Sequence, residues 1–214
     1  MKHLLSAALL GVMALAGCDS DGSQREMFES IFKRDEAKVD PALTAKVQRL
    51  GLAGQPIIVA SIEAENRAGL LVREVQRGRE STYISEGGVS ISFRSGVLVA
   101  TRGMGGDLMG ADVATLERYL RTGGAGAASR SHAYLDGDEQ IQKHQFSCQV
   151  ASRGSRQIAI DEKSYATKLI EEKCSGSGFA FENLYWLDRR GEILQSRQWM
   201  GPALGSLAFR KVLR

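Results

Sequence analysis

The chain is poor in cysteine and histidine, with three of each among 214 residues, and it has no excess of one charge. Lys and Arg number 28 against 25 Asp and Glu, for a net charge of +3. The cations are scattered among nearly as many acids, so no basic stripe argues for a nucleic-acid partner. No apolar run reaches the roughly 20 residues of a membrane-spanning helix. No internal repeat at a fixed period is visible. The nucleophile-elbow pattern G-x-S-x-G is also missing: Ser177 lies in "CSGSGF", without the glycine two places before it.

Glycine, by contrast, is concentrated in "VLVATRGMGGDLMGAD", Val97 to Asp112, where an apolar strand runs into Gly103, Gly105, Gly106 and Gly110. Strand, glycines and a helix start are the ingredients of a phosphate loop. The motif fails in detail. It has no Lys followed by Ser or Thr, and Leu108 stands where a dinucleotide fingerprint needs a third glycine. The glycines are therefore read as permitting positive φ in a turn or bulge, and no cofactor is expected.

The amino terminus, "MKHLLSAALLGVMALAGC", has one Lys, an apolar core of about a dozen residues and then Cys18. It reads as a signal peptide over residues 1–17. "LAGC", Leu15 to Cys18, resembles the bacterial lipobox, in which the cysteine is lipidated and becomes the new amino terminus. More than one acyl chain on Cys18 would hold the body to a membrane without a spanning segment. Removing residues 1–17 takes away Lys2 and no acid, which leaves a net charge of +2.

With Cys18 assigned to lipid, Cys148 and Cys174 remain, and the compartment outside the inner membrane is oxidising. A disulfide between them is expected. Closing a loop of about 27 residues would stabilise the fold by roughly 3–4 kcal/mol on the chain-entropy model. Metal binding is the weaker alternative, since two sulfurs with no nearby His, in neither C-x-x-C nor zinc-finger spacing, make no structural zinc site.

Residues 18–45 read as a lipidated, polar tether with one short helical patch, and 46–214 as a single domain. From Pro56 the pattern is β. "PIIVASIEA", "AGLLVREVQRG" and "RESTYIS" are short β-rich runs, and "VSISFRSGVLVATRG" alternates Val89, Ile91 and Phe93 against Ser90, Ser92 and Arg94 around a turn at Ser95-Gly96. "DVATLERYLRT", Asp112 to Thr122, sets Val113, Leu116 and Leu120 at helical spacing behind Asp112 as N-cap. Further strands are expected to join at Asp136-Gly137 and near Gly154. "SYATKLIEEKC" fits helix or strand, and "FAFENLYWLDRRGEILQSRQW" predicts a hairpin turning at Arg189 to Gly191. The fold class is mainly β: antiparallel sheets, as a sandwich or barrel-like closure, with one substantial helix.

Catalytic residues do not assemble. His3 leaves with the signal peptide, and His132 and His144 flank a proposed turn. Asp136, Asp138 and Glu139 suit a solvated β-turn better than a glycosidase pair. "NLYWLDRRGEILQSRQWMGP" offers a binding surface instead. Tyr185, Trp186 and Trp199 could stack on sugar rings while Arg197, Gln198 and Asn183 bond hydroxyls, although any single Trp fits a core as well. Strand alternation sets Tyr185 and Trp186 on opposite faces, so at most one is expected in the core and the other is the candidate contact.

Taken in order, "FRSGVLVATRGMGGDLM", "YLDGD", Cys148 and Cys174 with "EEKC" before the second, "FENLYWLD" and "SRQWMGP" resemble the YjbF/GfcB family of bacterial lipoproteins, which accompany group 4 capsule and other exopolysaccharide genes. The resemblance spans Pro56 to Leu213 and implies a mainly antiparallel β fold and a role in assembly or export of secreted polysaccharide. It brings no catalytic residues. On this reading Arg102 and Asp107 form an ion pair beside the glycine turn, or part of a binding surface. The sequence departs from the family at "STYIS", where Tyr83 replaces an expected Trp.

A non-enzymatic envelope lipoprotein, attached to a membrane by lipid and binding polysaccharide or an export protein, is the expected function. A periplasmic glycan-modifying enzyme with an unrecognised site and a purely structural envelope lipoprotein are the alternatives. Family analogy favours the outer membrane, facing the periplasm. Asp19 after the lipidated cysteine resembles an inner-membrane retention signal and keeps that membrane open.

Overall fold

A computed structural model describes residues 54–65, 67–160 and 163–212. The expected signal peptide, Cys18 and the tether lie outside them. Twelve strands form one sheet: β1 (Ile57–Ile62), β2 (Arg67–Arg77), β3 (Glu80–Ser85), β4 (Ser90–Arg94), β5 (Val97–Arg102) and β6 (Leu108–Asp112) precede a single helix, α1 (Ala114–Thr122). After it come β7 (Gly126–Leu135), β8 (Ile141–Ile160), β9 (Lys163–Gly176), β10 (Phe179–Leu187), β11 (Ile193–Gly201) and β12 (Gly205–Lys211). All ladders are antiparallel, in the order β5-β4-β3-β2-β1-β12-β11-β10-β9-β8-β7-β6. The sheet curls into a nearly closed barrel, with β5 and β6 flanking the seam.

Side chains close what the ladder leaves open. Thr101 Oγ1 accepts the Leu108 N–H at 3.0 Å, and the Arg102 guanidinium donates to the carbonyls of Leu108 and Met109 at 3.1 and 3.3 Å. Gln198 of β11 reaches β5 from across the interior. Its Oε1 accepts the Leu98 N–H at 2.8 Å and its Nε2 donates to the Gly96 carbonyl at 3.0 Å. An edge strand's unpaired backbone groups are costly when buried, and here one fully buried glutamine satisfies two of them.

The expected hairpins at Ser95-Gly96, Asp136-Gly137 and Arg189 to Gly191 form where turn chemistry placed them. Ser95 and Gly96 both have positive φ, 51° and 82°, the conformation a two-residue hairpin loop of right-handed twist demands. A Cβ on Gly96 would also come within 2.9 Å of Ile193 Cδ1. Helix α1 buries Leu116 and Leu120, with Val113 just before it, against Val97, Val150, Ile170, Tyr185, Leu187 and Ile193. Its N-cap is Val113 and not Asp112 as expected; Asp112 stands one place earlier, and its carboxylate accepts the Ala114 N–H at 3.0 Å. The second core cluster, with Ile58, Leu71, Tyr83, Phe93, Leu108, Met200, Leu207 and Phe209, fills the barrel beside it.

Two expectations are corrected. Gly154 makes no turn: β8 runs through it for 20 residues, and the register shift between Ser152 and Ser155 accommodates it as a bulge. Tyr185 and Trp186 are both buried, at 0% and 7% exposure. Alternation does put them on opposite faces, but β10 is buried on both faces from Asn183 to Leu187, so neither is outward in the solvent sense. The ambiguous "SYATKLIEEKC" is strand, within β9.

Candidate functional site

The glycine loop between β5 and β6 holds its own anion. Asp107 accepts the N–H groups of Gly103 and Met104 at 2.8 and 3.2 Å and the Thr101 hydroxyl at 2.9 Å. Gly103, Gly105 and Gly106 have φ of 82°, 74° and 70°, which aims these amides at a carboxylate as a nest aims them at phosphate. The ion pair that the sequence suggested between Arg102 and Asp107 does not form. Asp107 is taken by backbone amides and Arg102 by backbone carbonyls.

The end of the barrel that carries this loop also gathers aromatic and imidazole rings. Alternation along β7 turns Arg130, His132 and Tyr134 to the buried side, and β8 brings His144 opposite His132 and Phe146 opposite Arg130. Trp199 stacks on Phe181, with centroids 4.3 Å apart and planes at 11°, and on His132 at 5.5 Å and 17°. Phe146 meets Trp199 edge-on at 5.8 Å. The β10–β11 ladder ends at Leu184 and Arg197. Beyond it Asn183 Oδ1 takes the Trp199 N–H at 2.7 Å, so the strands part where the indole lies. Trp199 stays half-buried.

His132 is closed off from proton chemistry at neutral pH. Burial, with help from Arg130 and His144, pushes its pKa down to about 2. Its Nδ1 lies 2.8 Å from the Tyr134 hydroxyl, which donates to the Met200 carbonyl at 2.8 Å. The Tyr134 phenol is raised by burial.

Beneath the rings is a buried ion pair. Arg130 Nη1 lies 2.7 Å from Glu172 Oε2, and the same oxygen accepts from Asn183 Nδ2 at 2.7 Å and the Tyr185 hydroxyl at 3.3 Å. Tyr185 is raised above its ordinary value, chiefly by burial and then by Glu172. Cys148 and Cys174 are disulfide-bonded across β8 and β9, with Cα atoms 4.0 Å apart. Glu172 comes within 4.8 Å of both sulfurs, but sulfurs bonded to each other offer no thiolate to a metal.

Of the other candidates from sequence, Arg197 pairs with Glu63 through Nε at 2.8 and 3.0 Å and donates to the Glu182 carbonyl at 3.2 Å. Gln198 is the clamp on β5. Tyr185, Trp186 and Gln198 thus lie inside the packing, while Trp199 and Arg197 keep partial access to solvent. Asp136 is a turn residue: its carboxylate accepts the Asp138 and Gln140 amides at 3.0 and 2.8 Å and Gln142 Nε2 at 2.8 Å. Sequence reading placed His132 only beside a turn and missed Phe146, Phe181 and the Arg130–Glu172 pair. The signal available was the period-two placement of Arg130 and His132 in register with Tyr134.

These features define a class: an antiparallel β barrel with a polar buried centre and an aromatic patch at one end, with no nucleophile and oriented base brought together among the described residues. Over residues 25–212 the sequence matches YjbF, the group 4 capsule polysaccharide lipoprotein GfcB family, and the chain belongs to that family. Its fold is shared by the hypothetical lipoprotein YmcC from Escherichia coli (K12), with a TM-score of 0.66 at 15% sequence identity over 75% of this chain and 84% of that one. No curated protein sequence matches the chain. A lipoprotein family tied to capsule polysaccharide fits a cell-envelope protein with a membrane anchor, and no described helix is long and apolar enough to cross a membrane.

Proposed function

We propose that this protein is a non-enzymatic accessory of capsule or exopolysaccharide assembly and export, held by lipid on Cys18 to the periplasmic face of the outer membrane. It acts by binding the polymer or an export protein, with the half-buried Trp199 and Arg197 as contacts. The observation that carries the reading is the family match along residues 25–212. The absence of bond chemistry is supported by the two described histidines, which sit in ring packing, and by Asp136, whose carboxylate is engaged by its own turn.

Deletion of the gene tests the role: secreted polysaccharide is expected to fall in amount or change in chain length, and unchanged polymer would refute it. Incubating purified protein with that polymer tests the second half, since any cleavage or modification would make it an enzyme. Sucrose-gradient fractionation of membranes decides between outer and inner membrane.

A further inference from the structure

The opposite end of the barrel carries the β2–β3 and β4–β5 turns, the β10–β11 turn and the end of β12. Between them is a cavity of ≈ 410 Å³, within the range of about 300–1,000 Å³ typical of small-molecule sites. Its lining includes five cations, Arg73, Arg79, Arg190, Arg210 and Lys211, against one acid, Glu192, with Tyr83, Phe93 and Phe209 as apolar wall. The cations come from three separate parts of the sequence, so only the fold brings them together.

Most of these charges are already committed. Arg79 bonds Glu117 at 2.8 Å, Arg190 bonds Asp188 and Glu192 at 3.3 and 3.4 Å, and Lys211 bonds Glu192. Arg73 is different. It is half-buried in the wall, and its partners among the described residues are neutral: Gln76 Oε1 at 3.3 Å and the Tyr83 phenol. A guanidinium held in a concave, partly desolvated site with no carboxylate bonded to it is a receptor for a planar or tetrahedral anion. Gln76, Ser81 and Gln195 on the same lining supply groups that can bond hydroxyls.

We propose that this cavity binds an acidic saccharide unit, a sugar ring bearing a carboxylate or phosphate, with the anion on Arg73 and the ring against Tyr83. The choice of a sugar rests on the polysaccharide role proposed above; the choice of an anion rests on the cavity alone. The five cations of the lining outnumber its one acid, and the positive field they leave draws an anion in from solvent.

The test is calorimetric titration of the full-length protein in detergent with D-glucuronate, glucose 1-phosphate, D-glucose and inorganic phosphate. One or both sugar acids are expected to bind, and which one identifies the anion; D-glucose is expected not to. Arg73→Gln should weaken that binding about tenfold or more, as loss of one charged hydrogen bond implies. Arg190→Glu, at an 81%-exposed side chain, keeps the proposal testable if Arg73→Gln does not fold, and should weaken it as well. Glucose binding as tightly as the acids, no binding by either acid, or unchanged affinity in a folded Arg73→Gln protein would overturn the proposal. Phosphate binding as tightly as glucose 1-phosphate would overturn the saccharide half. Complementation of a deletion strain separates the two readings. If deletion itself changes no polymer, the polysaccharide role fails; if deletion does but the Arg73→Gln protein restores output fully, the cavity proposal fails alone.

Discussion

Arg130 and Glu172 meet at 2.7 Å with side chains 2% and 1% exposed, 42 residues apart in sequence and on strands that do not pair with each other. Among the described residues, Arg130 Nε and Glu172 Oε1 have no hydrogen-bond partner. Such a pair is weak evidence for stability, because desolvation offsets its attraction, yet removing one partner strands the other charge.

Arg130→Met is therefore expected to destabilise the fold by about 3–5 kcal/mol in urea or guanidinium unfolding. Arg130→Met with Glu172→Gln, which keeps an acceptor for Asn183 and Tyr185, should recover most of that loss. Wild-type stability in the single variant would refute the assignment.

The buried imidazole of His132 sets a pH dependence. Its pKa is about 2 when folded, against an ordinary 6.5, so between these values the unfolded chain binds the extra proton and stability rises with pH. From this group alone, stability should fall by about 1 kcal/mol between pH 6.5 and 5.5, with the slope approaching about 1.4 kcal/mol per pH unit below that. Comparing unfolding at pH 6.5 and 5.5 limits the carboxylate contribution. His132→Gln should flatten the difference, and an equal slope in both proteins would count against it.

Cys148→Ala with Cys174→Ala is expected to lower stability by roughly 3–4 kcal/mol on the chain-entropy model. Mass spectrometry of native material before and after reduction checks the bond, and two free thiols in protein taken from cells would contradict it.

Cys18→Ala should release the body from membranes or block its maturation, read by fractionation and by the size of the product. Membrane attachment at mature size in the variant would remove the lipid anchor from the account.

Much of this fold was legible because period-two runs and positive-φ turn residues are local. Ile91 and Phe93, Ser95-Gly96, and Leu116 and Leu120 needed no knowledge of the rest of the chain. The disulfide was legible from compartment and parity. Alternation misled at Tyr185 and Trp186 because it assumes one wet face, and β10 has none over Asn183 to Leu187. Gly154 misled because a bulge and a turn ask for the same backbone freedom. Gln198 looked like a ligand contact because an amide that serves a distant strand edge carries no local mark. The cavity was illegible for the same reason: Arg73 and Arg190 stand more than a hundred residues apart.

The strand order has a consequence for how the barrel is built. Every ladder joins consecutive strands except β1–β12, which pairs Ile58 with Lys211. Hairpins β1–β5 and β6–β12 can each zip locally, while joining the halves closes a loop about fifteen times longer than a ten-residue hairpin, at an extra entropic cost of about 2–3 kcal/mol. A chain delivered amino terminus first thus holds two unsealed half-sheets until its final strand arrives. Removing residues 205–214 should leave both halves protease-sensitive, and a resistant core of native size in that truncation would show that β12 is not the keystone.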